Sequence, residues 1–570
     1  MKKLLVYIKE YRLECVLGPL FKLLEAFFDL MVPLVMAAMI DKGILEHNKE
    51  IIFKYGLVTF LLALVGLISS VTAQYFAAKA SIGFVRNIRN ALFKHINKLS
   101  IGQIETIGKD SLVTRITSDI NQVQSGTNMA LRLFLRSPFI VVGAVAMSFT
   151  INVKIALILT AMIILLAVVI FGIMLITMPG FKKTQKQLEK IALHTGENVD
   201  GARVIRAFNH ENKEEENFRK DNNLLKKLQL KVSSISTSMN PMTYLILNGF
   251  LVVILFVGTK NVGSGAMKVG QLIALTNYMT QILTELIKLA DTIILTSKAV
   301  SSGDRINEIF EVKPDLLDGT VDLNETDKAG NIVEFNKVSY SYKGSKENAL
   351  EKISFDAKKG ETIGIIGRTG SGKSTLINLI PRFYDATEGE VKLFGKDVKS
   401  VTLESLRAKV GIVLQKSVLF KGSLRDNLLM ANPDATEEEM IEALKLSQSY
   451  DFIMNGKDGL DTKVLINGNN FSGGQKQRLF IACTLVKKPE IIILDDSFSA
   501  LDYLTDKNLR KDLKALPYNP LTIIVSQRIT SVIDCDRIIV MDEGEMVGYD
   551  SHDNLLKNCL EYQDIYDSQQ

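Results

Sequence analysis

The spacing of a phosphate-binding loop occurs once, early in the C-terminal half of the chain. Its residues are Gly367, Arg368, Thr369, Gly370, Ser371, Gly372, Lys373 and Ser374, followed by Thr375. They fit the pattern GxxxxGK[ST] and follow the apolar, strand-like stretch ETIGIIG. Glycines let successive backbone N–H groups face an anion without a side chain in the way. We therefore expect Lys373 to reach the β- and γ-phosphates of a nucleotide and Ser374 to ligate Mg²⁺.

A second apolar run, Ile491–Leu494, ends in the acidic pair Asp495 and Asp496. A carboxylate at the end of a buried strand suits Mg²⁺, held directly or through water, so Asp495 is a second candidate metal ligand. Between the two motifs lies the segment Phe471–Gln475, with the sequence FSGGQ. These three motifs together indicate a nucleotide-binding domain.

This combination resembles the ATP-binding cassette (ABC) transporters, specifically the exporters in which six spans precede the cassette on one chain. The resemblance covers nearly the whole chain. In that family the signature loop, here Ser472, Gly473, Gly474 and Gln475, binds the γ-phosphate of ATP held by the opposite cassette of a dimer. Glycines and a serine at the start of a helix are consistent with such an anion site.

The resemblance also implies roles for single residues and short loops. Tyr342 resembles the aromatic residue that stacks on adenine, and Gln415 resembles the Q-loop residue at the Mg²⁺. Ser499–Asp502 resembles the D-loop, which crosses the dimer interface. The stretches 111–115 and 201–208 resemble the two coupling helices that rest on the cassettes.

Two positions differ from the family's hydrolytic pattern. Asp496 stands where the family has a glutamate general base, and Gln527 where it has the switch histidine. An aspartate is one methylene shorter, and misplacing a general base can forfeit most of a rate contribution of about 10² to 10⁴. The sequence therefore predicts a site that binds ATP but hydrolyses it slowly or not at all. The chain then resembles the degenerate half of a heterodimeric bacterial multidrug exporter; a homodimer with two slow sites is the alternative.

The composition of the chain changes near Phe310, before the segment that contains these motifs. Residues 1–310 hold almost all the long apolar runs, residues 311–330 read as a linker, and residues 331–570 read as a water-soluble region. Six apolar stretches are long enough to cross the membrane as helices: 13–40, 51–80, 129–151, 155–178, 236–257 and 269–294. We therefore predict a multi-domain membrane protein, in which an all-α domain of six transmembrane helices precedes an α/β domain built around the phosphate loop.

Basic residues predict the orientation of these spans. Segments 85–128 and 180–234 carry six and twelve Lys and Arg, whereas the three short connections hold five lysines. The long segments, and with them both termini, are therefore expected in the cytoplasm, with the protein in the plasma membrane. Their helical apolar spacing predicts that the spans continue as helices beyond the bilayer.

Two acidic residues in the first span, Glu25 and Asp29, lie four residues apart on one helix face. They indicate either an acidic patch in a cavity for cationic, amphipathic cargo, or acids paired with bases such as Arg132, Arg136 or Lys288. The residues alone leave both open. An amphipathic small molecule or peptide is the expected substrate.

Other function classes receive less support. A net charge of +5 from 68 basic and 63 acidic residues gives no indication of nucleic-acid binding, and the four cysteines lack metal-site or disulfide spacing. An importer with the exporter fold, or a channel that uses ATP as a structural ligand, would carry the same motifs. An ATP-hydrolysing translocase with ATP and Mg²⁺ as cofactors remains the leading prediction.

Overall fold

The chain divides into two compact units. In a computed structural model that describes residues 2–323 and 330–569, the first unit contains Met1–Asn97 and Gly108–Val312. The second contains Lys98–Ile107 and Lys313–Gln570. Part of the predicted linker, residues 324–329, lies outside the described residues.

The first unit is built from helices. A 3₁₀ helix, Lys2–Tyr11, comes first, and short π-helical segments occupy Ile40–Ile44 and Arg115–Asp119. The α-helices up to residue 312, of which α3 belongs to the second unit, are α1 (Arg12–Met39), α2 (Lys49–Ile96), α3 (Ile101–Ile107), α4 (Lys109–Thr114), α5 (Ile120–Leu133), α6 (Arg136–Ile151), α7 (Val153–Asp200), α8 (Ala202–Ala207), α9 (Glu211–Thr237), α10 (Met239–Gly263) and α11 (Val269–Glu311).

Helices α2 and α7 extend well beyond the length of a membrane span. Each has 48 residues, or about 72 Å at 1.5 Å per residue, against roughly 30 Å of hydrocarbon. The predicted continuation of these spans as helices is therefore confirmed. Close packing of α1 on α2 depends on small residues: a Cβ at Gly18 would lie 3.4 Å from the Ala77 nitrogen, and Ala73, Ala77 and Ala80 are fully buried.

Five helical segments in the described part of the chain are long and apolar enough to cross a membrane: Lys3–Ile44, Lys49–Ile96, Lys109–Ile151, Val153–Asp200 and Glu211–Gly263. They contain the first five predicted spans. The sixth, 269–294, lies in α11 and does not meet the same criterion of apolar composition. Polar residues of the stretch, among them Asn277, Gln281 and the buried Glu285, lower its mean hydropathy.

The second unit is an α/β domain. Its strands are β1 (Asn331–Tyr340), β2 (Leu350–Lys358), β3 (Thr362–Gly367), β4 (Glu388–Leu393), β5 (Lys396–Asp397), β6 (Val410–Val413), β7 (Gly422–Ser423), β8 (Lys463–Val464), β9 (Ile491–Asp495), β10 (Leu521–Val525), β11 (Arg537–Asp542) and β12 (Glu545–Asp550). Its helices after α3 are α12 (Lys373–Leu379), α13 (Leu403–Lys409), α14 (Leu424–Ala431), α15 (Glu437–Leu446), α16 (Tyr450–Met454), α17 (Gly473–Leu485), α18 (Tyr503–Lys514), α19 (Ile529–Val532), α20 (His552–Asn558) and α21 (Leu560–Asp567).

The main sheet has six strands in the order β12-β11-β3-β10-β9-β6. All neighbours pair in parallel except β11 and β12. Every residue of β3, β9 and β10 is buried, which explains why these strands read as continuous apolar runs. A second, antiparallel sheet has the order β2-β1-β4-β5, and β7 pairs with β8. The predicted fold class, helical membrane domain plus α/β domain, is confirmed.

The segment 98–107 belongs to the second unit, and the assignment of 111–115 to the first coupling helix stays a prediction. Residues 111–115 lie in the first unit. In α3, Ser100 and Gln103 form reciprocal capping bonds, and Gln103 Nε2 donates to the Lys313 carbonyl at 2.7 Å. The Ser-x-x-Gln spacing of a capping box was the local signal for a new helix start.

Candidate functional site

The candidate site lies at the carboxyl ends of three adjacent strands, β3, β10 and β9. The phosphate loop follows β3, Asp495 is the last residue of β9, and Ser526 follows β10. Loops that leave the carboxyl ends of parallel strands meet at one edge of the sheet, which is where α/β proteins bind ligands. Motifs separated by more than 150 residues are thereby brought together.

The phosphate loop has a backbone that only glycine adopts readily. Gly370 and Gly372 have φ of 88° and 94°, and a Cβ at Gly372 would lie 2.6 Å from the Ala349 carbonyl oxygen. Lys373 Nζ lies inside the loop and donates to the Gly367 and Arg368 carbonyls at 2.8 and 2.6 Å. Burial lowers the pKa of Lys373, against the opposing effect of Asp495 and Asp496. This loop therefore holds a cation close to two carboxylates.

The predicted metal ligands Ser374 and Asp495 are neighbours. The Ser374 hydroxyl lies 3.3 and 3.5 Å from the two carboxylate oxygens of Asp495. Adjacent ligands of octahedral Mg²⁺, each about 2.1 Å from the ion, lie about 3.0 Å apart, so this pair of oxygen ligands fits Mg²⁺. Burial raises the pKa of Asp495, an effect that Asp496 adds to, and a bound cation would counter both.

Asp496 and Gln527 line the same cavity. Asp496 has φ of 47°, in the left-handed region that aspartate tolerates better than most residues. Its N–H donates to the Val525 carbonyl at 3.0 Å, and its carbonyl accepts from the Ser499 hydroxyl at 2.9 Å. One of its carboxylate oxygens faces Gln415 Nε2 at 3.4 Å. The Gln527 side chain is exposed and makes no hydrogen bond within the described ranges 2–323 and 330–569.

Tyr342 lies at the edge of the cavity. Its hydroxyl is 3.0 Å from the Thr375 hydroxyl, and its ring meets those of Tyr340 and Tyr384 edge to face, with centroids 5.0 and 5.7 Å away. These contacts fix the ring, while 40% of the residue stays exposed and able to stack on a flat ligand.

The cavity has a volume of about 310 Å³ and brings together most of the predicted site residues. Those that line it are Tyr342, Thr369, Gly370, Gly372, Lys373, Ser374, Thr375, Gln415, Asp495, Asp496 and Gln527. Gly367, Arg368 and Ser371 belong to the loop but do not line the cavity. Sequence reasoning missed Ala349, Val525 and Ser526, and only the last two carried a signal, because they directly precede Gln527.

The signature residues are outside this cavity. Ser472 caps α17 and forms a capping box with Gln475, with bonds of 2.9 and 3.3 Å. Ser472 and Gly473 are exposed, and a Cβ at Gly473 would meet no atom within 4 Å. At Gly474, by contrast, a Cβ would lie 2.7 Å from the Ala500 carbonyl oxygen. The signature residues thus form an exposed, capped helix start that does not line the chain's own cavity.

A cluster of charged side chains connects three membrane helices of the first unit. Arg136 on α6 bonds to Asp29 on α1 at 2.8 Å and to Glu285 on α11 at 2.6 Å. Glu25 lies 3.6 Å from Arg136 and bonds to Lys22 at 2.5 Å. The two acids in the first span are therefore paired with bases, as one of the two interpretations requires.

This charge cluster is close to neutral. Lys288 also bonds to Glu285 at 3.0 Å, so that three acids face three bases. Arg132, also named as a candidate partner, forms no ion pair within the described residues. Glu25 and Asp29 therefore do not form an unpaired acidic patch that could attract cations.

Both halves of the chain match known protein families. Residues 15–286 match the family described as ABC transporter transmembrane region, and residues 350–499 match the family described as ABC transporter. An uncharacterized ABC transporter ATP-binding protein of Bacillus subtilis, YfiB, is 33% identical over 100% of this chain and 98% of its own length.

Two further comparisons concern proteins with more specific names. A putative multidrug export ATP-binding/permease protein of Bacillus subtilis, YgaD, is 28% identical over 99% of this chain and 98% of its own. The solved structure of a bacterial Atm1-family ABC exporter with ATP bound covers 98% of each chain, with a TM-score of 0.81 and 23% identity. That similarity shows the fold.

Proposed function

The chain belongs to the ABC transporter family and has the exporter fold, and from that premise we propose that it is one half of an ATP-driven exporter of amphipathic molecules. The excess of basic residues in the two long connections supports a cytoplasmic position for both termini. The name of YgaD, a putative multidrug exporter, agrees with drug-like cargo. Cassette closure around ATP would drive alternating access in the membrane domain.

ATP and Mg²⁺ fit the residues of the cavity. Ser374 and Asp495 would hold Mg²⁺, Lys373 would neutralise the β- and γ-phosphates, and Tyr342 would stack on the base. A magnesium ion bound there would polarise the γ-phosphoryl group and offset charge in the transition state. The protein's own contribution is to orient the nucleotide and exclude water.

The partner is proposed to be a non-identical half-transporter. One observation carries this proposal: Asp496 and Gln527 stand at the base and switch positions of the cavity, while the signature loop, which does not line that cavity, is intact. A partner that carries the glutamate general base would use that signature for its own ATP. The ATP bound to this chain would be hydrolysed slowly. Glutamine can donate a hydrogen bond to a phosphate but cannot take up a proton at neutral pH.

The test is purification of the chain from its native membrane, followed by ATPase assays on the chain alone and with the protein that co-purifies. We expect a second ABC half and turnover that depends on it. Asp496→Asn should then lower turnover only modestly. A chain that alone forms a fully active dimer, inactivated by Asp496→Asn, would contradict the proposal and make Asp496 the working base.

Direction is tested separately in sealed inside-out vesicles. ATP should drive uptake of a fluorescent amphiphile into the lumen, because the cassettes face the outside of such vesicles. Loss of a preloaded amphiphile on addition of ATP would identify an importer with the same fold.

A further inference from the structure

The segment after the last helix, α21, bonds directly to the loop that carries Gln527. Gln569 Nε2 donates to the Gln527 carbonyl at 2.7 Å, and Gln569 Oε1 accepts from the Ile529 N–H at 2.9 Å. One side-chain amide thus bonds to the backbone on both sides of Arg528. Two hydrogen bonds to one planar amide hold the loop backbone in a fixed orientation, which a single bond would not do.

The Ile529 N–H has a particular need for this acceptor. Ile529 is the first residue of α19, and the first N–H groups of a helix have no partner within it. Arg528, which precedes the helix, provides no side-chain cap. The Gln569 amide oxygen supplies the missing acceptor from another element.

Gln569 follows a helix, α21, that is anchored in the core. Its N–H donates to the Tyr566 carbonyl at 3.1 Å. Tyr562, one turn earlier on the same helix, is fully buried, and its hydroxyl lies 2.8 Å from His552 Nδ1. The amide is therefore presented by an anchored helix, although the side chain lies at the surface.

The Gln527 side chain depends on this backbone for its direction. It lines the nucleotide cavity but makes no hydrogen bond of its own within the described ranges. Nothing except its own rotamer and the loop backbone then sets where its amide points. The hydrogen bond to the Gln527 carbonyl therefore fixes the backbone from which the cavity-lining Gln527 side chain extends.

We propose that Gln569 is a positioning residue for the switch position: it orients the Gln527 backbone so that the Gln527 amide faces the γ-phosphate of ATP. The proposal rests on the proposed function only in that the cavity binds ATP. Gln569 contacts no nucleotide and acts through Gln527 alone.

The test is a double-mutant cycle in the assembled full-length transporter, with ATP binding to this chain measured by photolabelling with 8-azido-ATP. Gln569→Ala should weaken labelling roughly three- to tenfold, as expected when the one hydrogen bond from the Gln527 amide to the γ-phosphate is lost. Gln527→Ala should have a similar effect. The double variant should be no weaker than Gln527→Ala, because Gln569 has no other route to the nucleotide.

Two further variants separate positioning from packing. Gln563→Ala removes an amide on α21 that donates to the Leu556 carbonyl of α20 at 2.6 Å and not to the switch loop, and this variant should bind ATP normally. Gln569→Met keeps the length of the side chain without its hydrogen bonds and should behave as Gln569→Ala. Melting temperatures identify any variant that is merely unfolded.

Each outcome either supports or overturns the positioning role of Gln569. Losses that add in the double variant, normal labelling of Gln569→Ala, or restoration by Gln569→Met would overturn the positioning role. If the wild-type chain is not labelled at all, the proposed ATP site fails instead, so the two failures are distinguishable.

Discussion

Two lesions in this one polypeptide should have unequal effects on the ATPase of the assembled transporter. Gly473→Glu places a carboxylate in the signature loop, which is proposed to face ATP bound to the partner. Lys373→Ala removes the cation from this chain's own cavity. We expect the signature lesion to abolish nearly all turnover and the lysine lesion to reduce it only in part.

The size of the first effect follows from electrostatics and from the space around Gly473. A carboxylate about 5 Å from the γ-phosphate repels each unit of phosphate charge by about 3 kcal/mol at an effective dielectric constant of 20, or roughly a hundredfold in occupancy. The fold should tolerate the change, because a Cβ at Gly473 meets no atom within 4 Å. Gly474 is unsuitable, since its Cβ would collide with the Ala500 carbonyl.

Gly473→Gln is the matched control, because it has the same size without the charge. Steady-state ATPase is measured near the wild-type KM for ATP, where lost occupancy lowers the rate, with expression matched and with photolabelling of this chain's cavity in parallel. Gly473→Glu should leave that labelling intact, whereas Lys373→Ala should weaken it. If Lys373→Ala costs more turnover than Gly473→Glu, this chain supplies the catalytic site and the degenerate assignment is wrong.

Three further changes test other parts of the structure. Asp496→Glu combined with Gln527→His should raise the ATPase rate of the complex, and an unchanged rate would place the limitation elsewhere. Ser374→Ala should raise the Mg²⁺ concentration needed for ATP labelling about tenfold or more, while Mg²⁺-independent labelling stays unchanged; an unshifted Mg²⁺ requirement would remove Ser374 from the metal site. Arg136→Gln should lower the melting temperature in detergent, because it leaves buried acids without their base at a cost of about 3 to 5 kcal/mol; Asp29→Asn, at the more exposed partner, should cost less, and equal losses would argue against the pairing.

Most residues that line the cavity could be named from sequence because their motifs are local. The loop 367–374 carries its own turn glycines, and Asp495 ends an apolar run that could only be a buried strand. What sequence could not supply was which strands are neighbours. Ala349 entered the cavity only through the fold, since nothing in its surroundings distinguishes it from other small residues.

In the membrane unit, features that depend on composition alone could be predicted from sequence. Features that depend on which charged side chains pair could not. Five helical segments are apolar enough on average to span a membrane, whereas α11 carries Glu285, which pairs with Arg136 of another helix, and no single-helix pattern reveals that pairing. Glu25 and Asp29 illustrate the same limit. Their spacing placed them on one helix face, but the choice between free and paired acids required the position of Arg136, more than 100 residues away. Likewise α3 was missed because its grouping with the second unit depends on contacts to Lys313 and Tyr384.

The missing methylene at Asp496 matters only if the backbone cannot move the carboxylate forward. The Asp496 backbone is bonded on both sides, through its N–H to Val525 and through its carbonyl to Ser499 and Gln477. Advancing the carboxylate by about 1.5 Å would break several of these bonds, each worth about 1 kcal/mol. A positive φ at this position further restricts the alternatives, because most other side chains are strained there. In the proposed ATP site this backbone would keep the shorter Asp496 side chain back from an attacking water, which is the physical reason to expect ATP binding without efficient hydrolysis.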